Sequence, residues 1–326
     1  MRTTSLIKRK LWQKVVQATK HKKIYFFLYK SYWYHLIHKK TNTNPKNTIY
    51  FTAKPNEGAG IGHQMANWIA GFWFAKYFNL DFAHIPFSSS SWETFLGFGE
   101  HETTVTDLVE NKGYKKVKLP LFDEHQIVQL STIKRIINAY VGKRVVLVAE
   151  QDQFYEQQIG VIDDLQHKFY NATARINDNV VYDKKYCNVA IHVRRGDIVV
   201  WKTQRQSSNV ERWQSNDYFV NTLNNVLQQM DTEKQIKIYL FSQGKESDFP
   251  EFKKFDNIIY CLDMSAQDSF LHMVFADVLI TSKSSFSYKP ALLNKGLKIV
   301  PPDFWHGYPK TKDWVVASKD GDVVIN

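Results

Sequence analysis

From residue 48 onward, short apolar, β-branched runs alternate with longer stretches of helical periodicity. This constrains the fold more than any other property of the chain. Strands are expected at 48–53, 80–85, 144–149, 189–193, 236–241, 258–262, 278–281 and 297–300. Helices are expected at 63–79, 127–140, 162–175, 217–230 and 269–275. Strands separated by helix-length segments pair in parallel and need helices on their faces, so the expected class is α/β with parallel sheets. A chain of 326 residues has room for two such units. The expected division is an arm and linker over 1–47, a Rossmann-like domain over 48–185, and a second over 186–326. No repeat has a solenoid period.

The run Val189-Ala190-Ile191 leads into "HVRRGD", so a buried strand ends abruptly in His192, Arg194, Arg195, Gly196 and Asp197. Open α/β sheets bind ligands at such carboxyl ends. A guanidinium stays charged and meets phosphate oxygens two at a time. Adjacent arginines on extended backbone diverge, so one can reach a ligand while the other is braced by Asp197 or the fold. Gly196 permits the sharp turn. The plainer readings are a surface ion-pair cluster or an RGD adhesion tripeptide, and the latter belongs on an exposed loop tip rather than beside a buried strand. A second loop, "DVLITSKSSFSYKPALL", supplies Ser282, Ser284, Ser285 and Ser287 ahead of a helix, where capping hydroxyls and unpaired N–H groups suit an anion. By itself it is an ordinary helix cap. A third, "EGAGIGHQ", is glycine-rich but lacks the G-x-G-x-x-G spacing, and alone it is a flexible connection.

Taken together and in order, "GIGHQMANWIAGFWFAKYFNLDF", "VAIHVRRGDIV" and "DSFLHMVFADVLITSKSSFSYKPALLNKGLKIVPPDFW" resemble the alpha-1,2-fucosyltransferases of glycosyltransferase family 11 and the wider set of inverting fucosyltransferases with an H-x-R-R-G-D motif. The resemblance spans roughly residues 48–305. It implies a GT-B-like fold of two facing Rossmann-type domains, the first on the acceptor side and the second binding the nucleotide sugar. It also implies GDP-fucose as donor, a glycan hydroxyl as acceptor, and neither metal nor cofactor. Departure of GDP charges the β-phosphate, and without a metal a preorganised cation must stabilise it. On the match to the motif, Arg195 takes that role and Arg194 supports it. His192 lies by the nucleotide, Asp268 receives the guanine N–H groups, and Ser284 and Ser285 lie by the pyrophosphate. Gly60, Gly62 and Gln64 match the first, substrate-side motif. Two departures point to a different acceptor or donor sugar. His63 stands where the family has asparagine, and Tyr288 and Lys289 stand where it continues with tryptophans. The candidate bases are Asp197, Glu57 and His63. Competing readings are a transferase for another nucleotide sugar, a catalytically dead glycan- or nucleotide-binding module, and a membrane-surface adaptor.

The net charge of +11 resides in residues 1–40, which hold eleven Lys and Arg and no acid; the other 32 basic residues face 32 acidic ones. A neutral body argues against nucleic acid as partner. Within the arm, the apolar stretch Ile24–Ile37 is interrupted by Lys30 and falls short of the roughly 20 residues that span a bilayer. Tyrosine, tryptophan and flanking lysines suit an anionic headgroup interface, which would bring the enzyme to a lipid-linked glycan. The alternative is an aromatic helix docked on the protein itself. Cys187 and Cys261 read as reduced, buried thiols, so the expected location is cytoplasmic, peripheral on the cytoplasmic membrane face.

Overall fold

A computed structural model describes residues 11–12, 14–16, 18–20, 22–38, 49–150, 155–156, 158–196 and 212–325. In chain order the elements are α1 (Lys30–Ile37), β1 (Ile49–Ala53), α2 (Ile61–Tyr77), β2 (Asp81–Phe82), α3 (Ser90–Leu96), α4 (Val105–Glu110), β3 (Lys115–Lys118), α5 (Ile127–Ala139), β4 (Val145–Ala149) and α6 (Ile162–Tyr170). They continue with β5 (Cys187–His192), α7 (Asn216–Gln229), β6 (Ile236–Ser242), β7 (Ile258–Leu262), α8 (Ala266–Phe275), β8 (Val278–Ile280), α9 (Ser285–Leu293), β9 (Leu297–Val300) and β10 (Trp314–Val316). The fold is α/β, with two separate all-parallel sheets.

Two compact units divide the chain. The first comprises residues 1–59, 63–88 and 101–155; the second comprises 60–62, 89–100 and 156–326. All strands of the first sheet precede residue 150 and all strands of the second follow 186, and residues 156–185 pack with the second unit.

In the first unit the strand order is β2-β1-β4-β3. Phe51 of β1 and Leu147 of β4 pack with Phe74 and Phe78 of α2 and with Ile133 and Ile136 of α5 in one core. The expected strand over 80–85 shortens to β2 because His84 turns away to bridge Thr104. β3 was not foreseen: its sequence, Lys-Lys-Val-Lys, has a single apolar residue, as befits an outer strand whose lysines face water. The arm docks on this unit. A short 3-10 segment, Lys23–Leu28, breaks at the extended residue Tyr29 and is followed by α1. Tyr25 and Tyr29 are buried; Tyr25 accepts from the Leu121 N–H, and Tyr29 donates to Glu150 at 2.6 Å. Tyr34 stacks on Tyr140 at 4.3 Å. Among the described residues, no helix is long and apolar enough to cross a membrane.

In the second unit the order is β10-β9-β8-β5-β6-β7. This is the Rossmann arrangement, in which the first strand lies centrally and the chain winds outward in both directions. All six residues of β5 are buried, which explains the apolar run Val189-Ala190-Ile191 at its centre. The helix expected over 162–175 ends at Tyr170. Glu100 accepts both the N–H and the hydroxyl of Thr173, withdrawing the donor that would have continued the helix.

Candidate functional site

The winding of the second sheet reverses between β5 and β8, which pair directly. Such a reversal opens a crevice beyond the carboxyl ends of the strands, and both polar loops of this unit emerge there. His192, the last residue of β5, reaches across the reversal. Its Nδ1 lies 2.7 Å from the Ser282 hydroxyl in the loop before α9. The ring is buried, and burial together with Arg194 and Arg195 depresses its pKa to about 3. His192 is therefore a neutral link between the two loops at physiological pH.

Arg195 is 8% exposed. Its Nη1 donates to the Arg194 carbonyl at 2.8 Å and to the Gln214 carbonyl at 3.2 Å, and its Nη2 donates to Asn216 Oδ1. The guanidinium lies 4.1 Å over the Trp213 ring. Burial lowers its pKa to about 10, opposed by Glu251 and Asp248, so it remains charged at neutral pH. Asn216 in turn donates to Glu251 at 2.7 Å. Gln214 joins the two loops, because its side-chain oxygen also accepts from the Lys283 N–H at 2.8 Å. Arg194 is half-buried. Gly196 has φ of +65°, and a Cβ there would lie 1.9 Å from Gln243 Oε1, so the turn needs glycine. Asp197 lies outside the described residues.

In the third loop, Ser284 caps α9, its hydroxyl accepting from the Phe286 N–H at 3.2 Å. Ser285 is brought against Gly62: a Cβ on Gly62 would lie 2.8 Å from both the carbonyl carbon and the oxygen of Ser285, whereas a Cβ on Gly60 would meet nothing within 4 Å. The glycine-rich loop thus touches the serine loop at one glycine, chosen for close approach of backbones. Gln64 is buried and ties the first unit's own loops, donating to the Ala59 carbonyl at 2.7 Å and the Ser88 hydroxyl at 2.8 Å. His63 is half-buried, and exposed Glu57 pairs with Lys54 at 2.8 Å. Asp268 is exposed in the first turn of α8, accepting from the hydroxyl of the capping Ser265 at 2.6 Å. Lys289, on α9, is fully buried; its ammonium nitrogen donates to Gln158, and no carboxylate pairs with it among the described residues. Burial holds its pKa well below the ordinary 10.5.

A cavity of about 660 Å³ opens beside Arg195, bounded by Trp213, Asn216, Asp217, Asp248 and Glu251. Glu251 and Asp248 act on the guanidinium and, with Asp217, line the cavity, so this side of Arg195 does not suit a diphosphate. Trp213, Gln214, Asn216 and Glu251 were not foreseen. The sequence signal for the first three is the neighbouring Ser215, the N-cap of α7.

Fold and site together define an α/β protein whose second unit has Rossmann strand order and polar loops gathered at its reversal point. Comparison with known proteins then places it as follows. No protein-family model matches the sequence, and no curated protein matches it. Among solved structures it is similar to the apo form of POFUT1, at 12% identity and a TM-score of 0.49, over 78% of this chain and 96% of the other. It is also similar to NodZ alpha-1,6-fucosyltransferase co-crystallized with GDP, at 10% identity and a TM-score of 0.46, over 87% and 98%. A third is the fucosyltransferase NodZ from Bradyrhizobium, at 9% identity and 0.44, over 78% and 94%.

Proposed function

We propose that this chain is an inverting glycosyltransferase that moves L-fucose from GDP-fucose to a glycan hydroxyl, forming an alpha-1,2 linkage. The observation that carries the reading is the His192–Ser282 bond across the reversal point. It holds the arginine pair and the serine loop at one crevice of a Rossmann-ordered sheet. Arg195 was expected to take the β-phosphate with Arg194 in support; this reading exchanges the two roles. Arg195 spends three hydrogen bonds and a ring face on the fold, and so serves as the positioning residue that fixes the backbone of Arg194. Arg194 takes the β-phosphate, with charge developing on the departing GDP as the sugar–oxygen bond breaks. Asp268 receives guanine at the mouth of α8. A base among Asp197, Glu57 and His63 removes the acceptor proton. No metal is needed where a fixed guanidinium offsets the phosphate charge. Retention of turnover in excess EDTA would agree with this, and loss restored by manganese would refute it.

A second reading keeps the phosphate machinery and changes the sugar. Lys289 and Tyr288 favour it: both are buried in α9, where the resembling family carries tryptophans. A panel of nucleotide sugars decides between the two, because a ligand bound only by the native state raises Tm. GDP and GDP-fucose should stabilise the protein, and another GDP-sugar should do so more strongly if the second reading holds. Arg194→Ala should cut kcat roughly 10²–10³-fold with Tm unchanged. Arg195→Lys, which loses the fork that grips three acceptors, should lower both kcat and Tm. Absence of stabilisation by any guanine nucleotide would overturn the proposal.

A further inference from the structure

Among the described residues, the arm segment 24–37 is held to the first unit by one face. Tyr25, Tyr29 and Ser31 point inward, and the Ser31 hydroxyl donates to the Lys118 carbonyl at 2.7 Å. Outward, Ile24, Phe27, Leu28, Trp33, Leu36 and Ile37 are 59%, 42%, 39%, 49%, 38% and 75% exposed. Trp33, Leu36 and Ile37 recur at the i, i+3, i+4 spacing that places them on one side of α1. This face is also stiff: Trp33 Nε1 donates to the Phe27 carbonyl at 2.8 Å, and the rings of Phe27 and Trp33 meet edge to face at 5.3 Å. A prearranged apolar ridge loses little conformational freedom when it is covered. In sequence, residues 1–40 hold eleven Lys and Arg and no acid.

We infer that this ridge docks on an anionic phospholipid bilayer, with Trp33, Leu36 and Ile37 entering the headgroup boundary and the arm's cations meeting lipid phosphates. Charge selects this occupant. A second copy would bring two acid-free arms of the same sign face to face, whereas an anionic surface neutralises them. An aromatic ring with a polar edge also suits the boundary between headgroups and acyl chains. The inference stands independently of the transfer chemistry, because the arm lies in the first unit and none of its residues is assigned to the proposed active site.

The test is co-sedimentation of the full chain with vesicles of neutral phosphatidylcholine, or with about one-third phosphatidylserine added, at low and high salt. Binding should require the anionic lipid and fall at least about tenfold between 0.05 and 0.5 M salt, as screening shortens the reach of the cations. Trp33→Ser/Leu36→Ser/Ile37→Ser, all on the exposed face, should keep the parent Tm and lose binding by roughly tenfold or more. Three results would each overturn the inference. The full chain could ignore anionic vesicles at low salt, the triple variant could bind as well as the parent, or light scattering could show a dimer that the triple variant dissolves. Should the triple variant lower Tm, Ile37→Ser alone, at the most exposed position, provides the same comparison.

Discussion

Lys289 places a measurable electrostatic load on the second unit. Its ammonium is fully buried against Gln158 with no carboxylate paired among the described residues, so the folded state holds it neutral over a pH range in which the unfolded chain is protonated. The folded pKa is depressed, so the unfolded state binds more protons between that value and 10.5. Stability therefore rises with pH through this window and falls as pH drops. One proton's difference is worth about 1.4 kcal/mol per pH unit, which is the limiting slope at which this group should raise stability inside the window. Lys289→Met removes the titration and leaves Gln158 Oε1 without its donor, a cost of about 1–3 kcal/mol that does not depend on pH. Urea midpoints at pH 8, 9 and 10 for both proteins isolate the effect, because every other titrating group is common to them. The parent should gain on the variant as pH rises, by roughly the slope above. Parallel curves would refute the account and mean that Lys289 stays charged inside the fold.

Gly62→Ala should cost about 1–3 kcal/mol by driving a Cβ into the Ser285 backbone, whereas Gly60→Ala, which meets nothing, should stay within about 0.5 kcal/mol; equal melting temperatures for the two would deny the close approach. His192→Gln keeps a partner for Ser282 but cannot titrate. The depressed His192 pKa of about 3 means its contribution is present above pH 6.5 and lost as pH falls toward 3, so the parent should lose about 2 kcal/mol more than the variant between pH 7 and 5. Indistinguishable acid limbs would argue that His192 is solvated. Asp268→Asn should weaken GDP more than IDP, which lacks the exocyclic amine; equal binding of both, with only a small fall in Tm from the altered cap of α8, would leave Asp268 a capping residue.

The second sheet was the most legible part of the chain. β5, β6, β7, β8 and β9 fall within two residues of the runs read from the sequence, because each is built mainly of β-branched and other apolar residues bounded by polar ones. The elements not read from the sequence are short or polar: α4 has six residues, β3 is mostly lysine, and β10 has three residues. Position in sequence showed that His192, Arg194 and Arg195 end a strand. It did not show how the Arg195 guanidinium is held, because the acceptors Gln214 and Asn216 approach only through the three-dimensional path of the chain. The arm read as either docked or membrane-facing, and periodicity within the arm does not reveal its docking, because the partners of Tyr25, Tyr29 and Ser31 lie at Leu121, Glu150 and Lys118. Nor does composition mark Lys289 as buried, since the residue type is almost always found in water.

The outer strands of the two sheets differ in one respect that bears on how the protein fails. In the first sheet one edge is the two-residue β2 and the other is lysine-studded β3, neither of which offers a template to a stray strand. The second sheet ends in the three-residue β10 on one side, but on the other in β7, Ile-Ile-Tyr-Cys-Leu, with Ile259 41% exposed. An outer strand that is apolar and uncharged pairs readily with its like. Under partial unfolding, the aggregation nucleus of this protein is therefore β7, and a lysine at position 259 would be the gatekeeper it lacks.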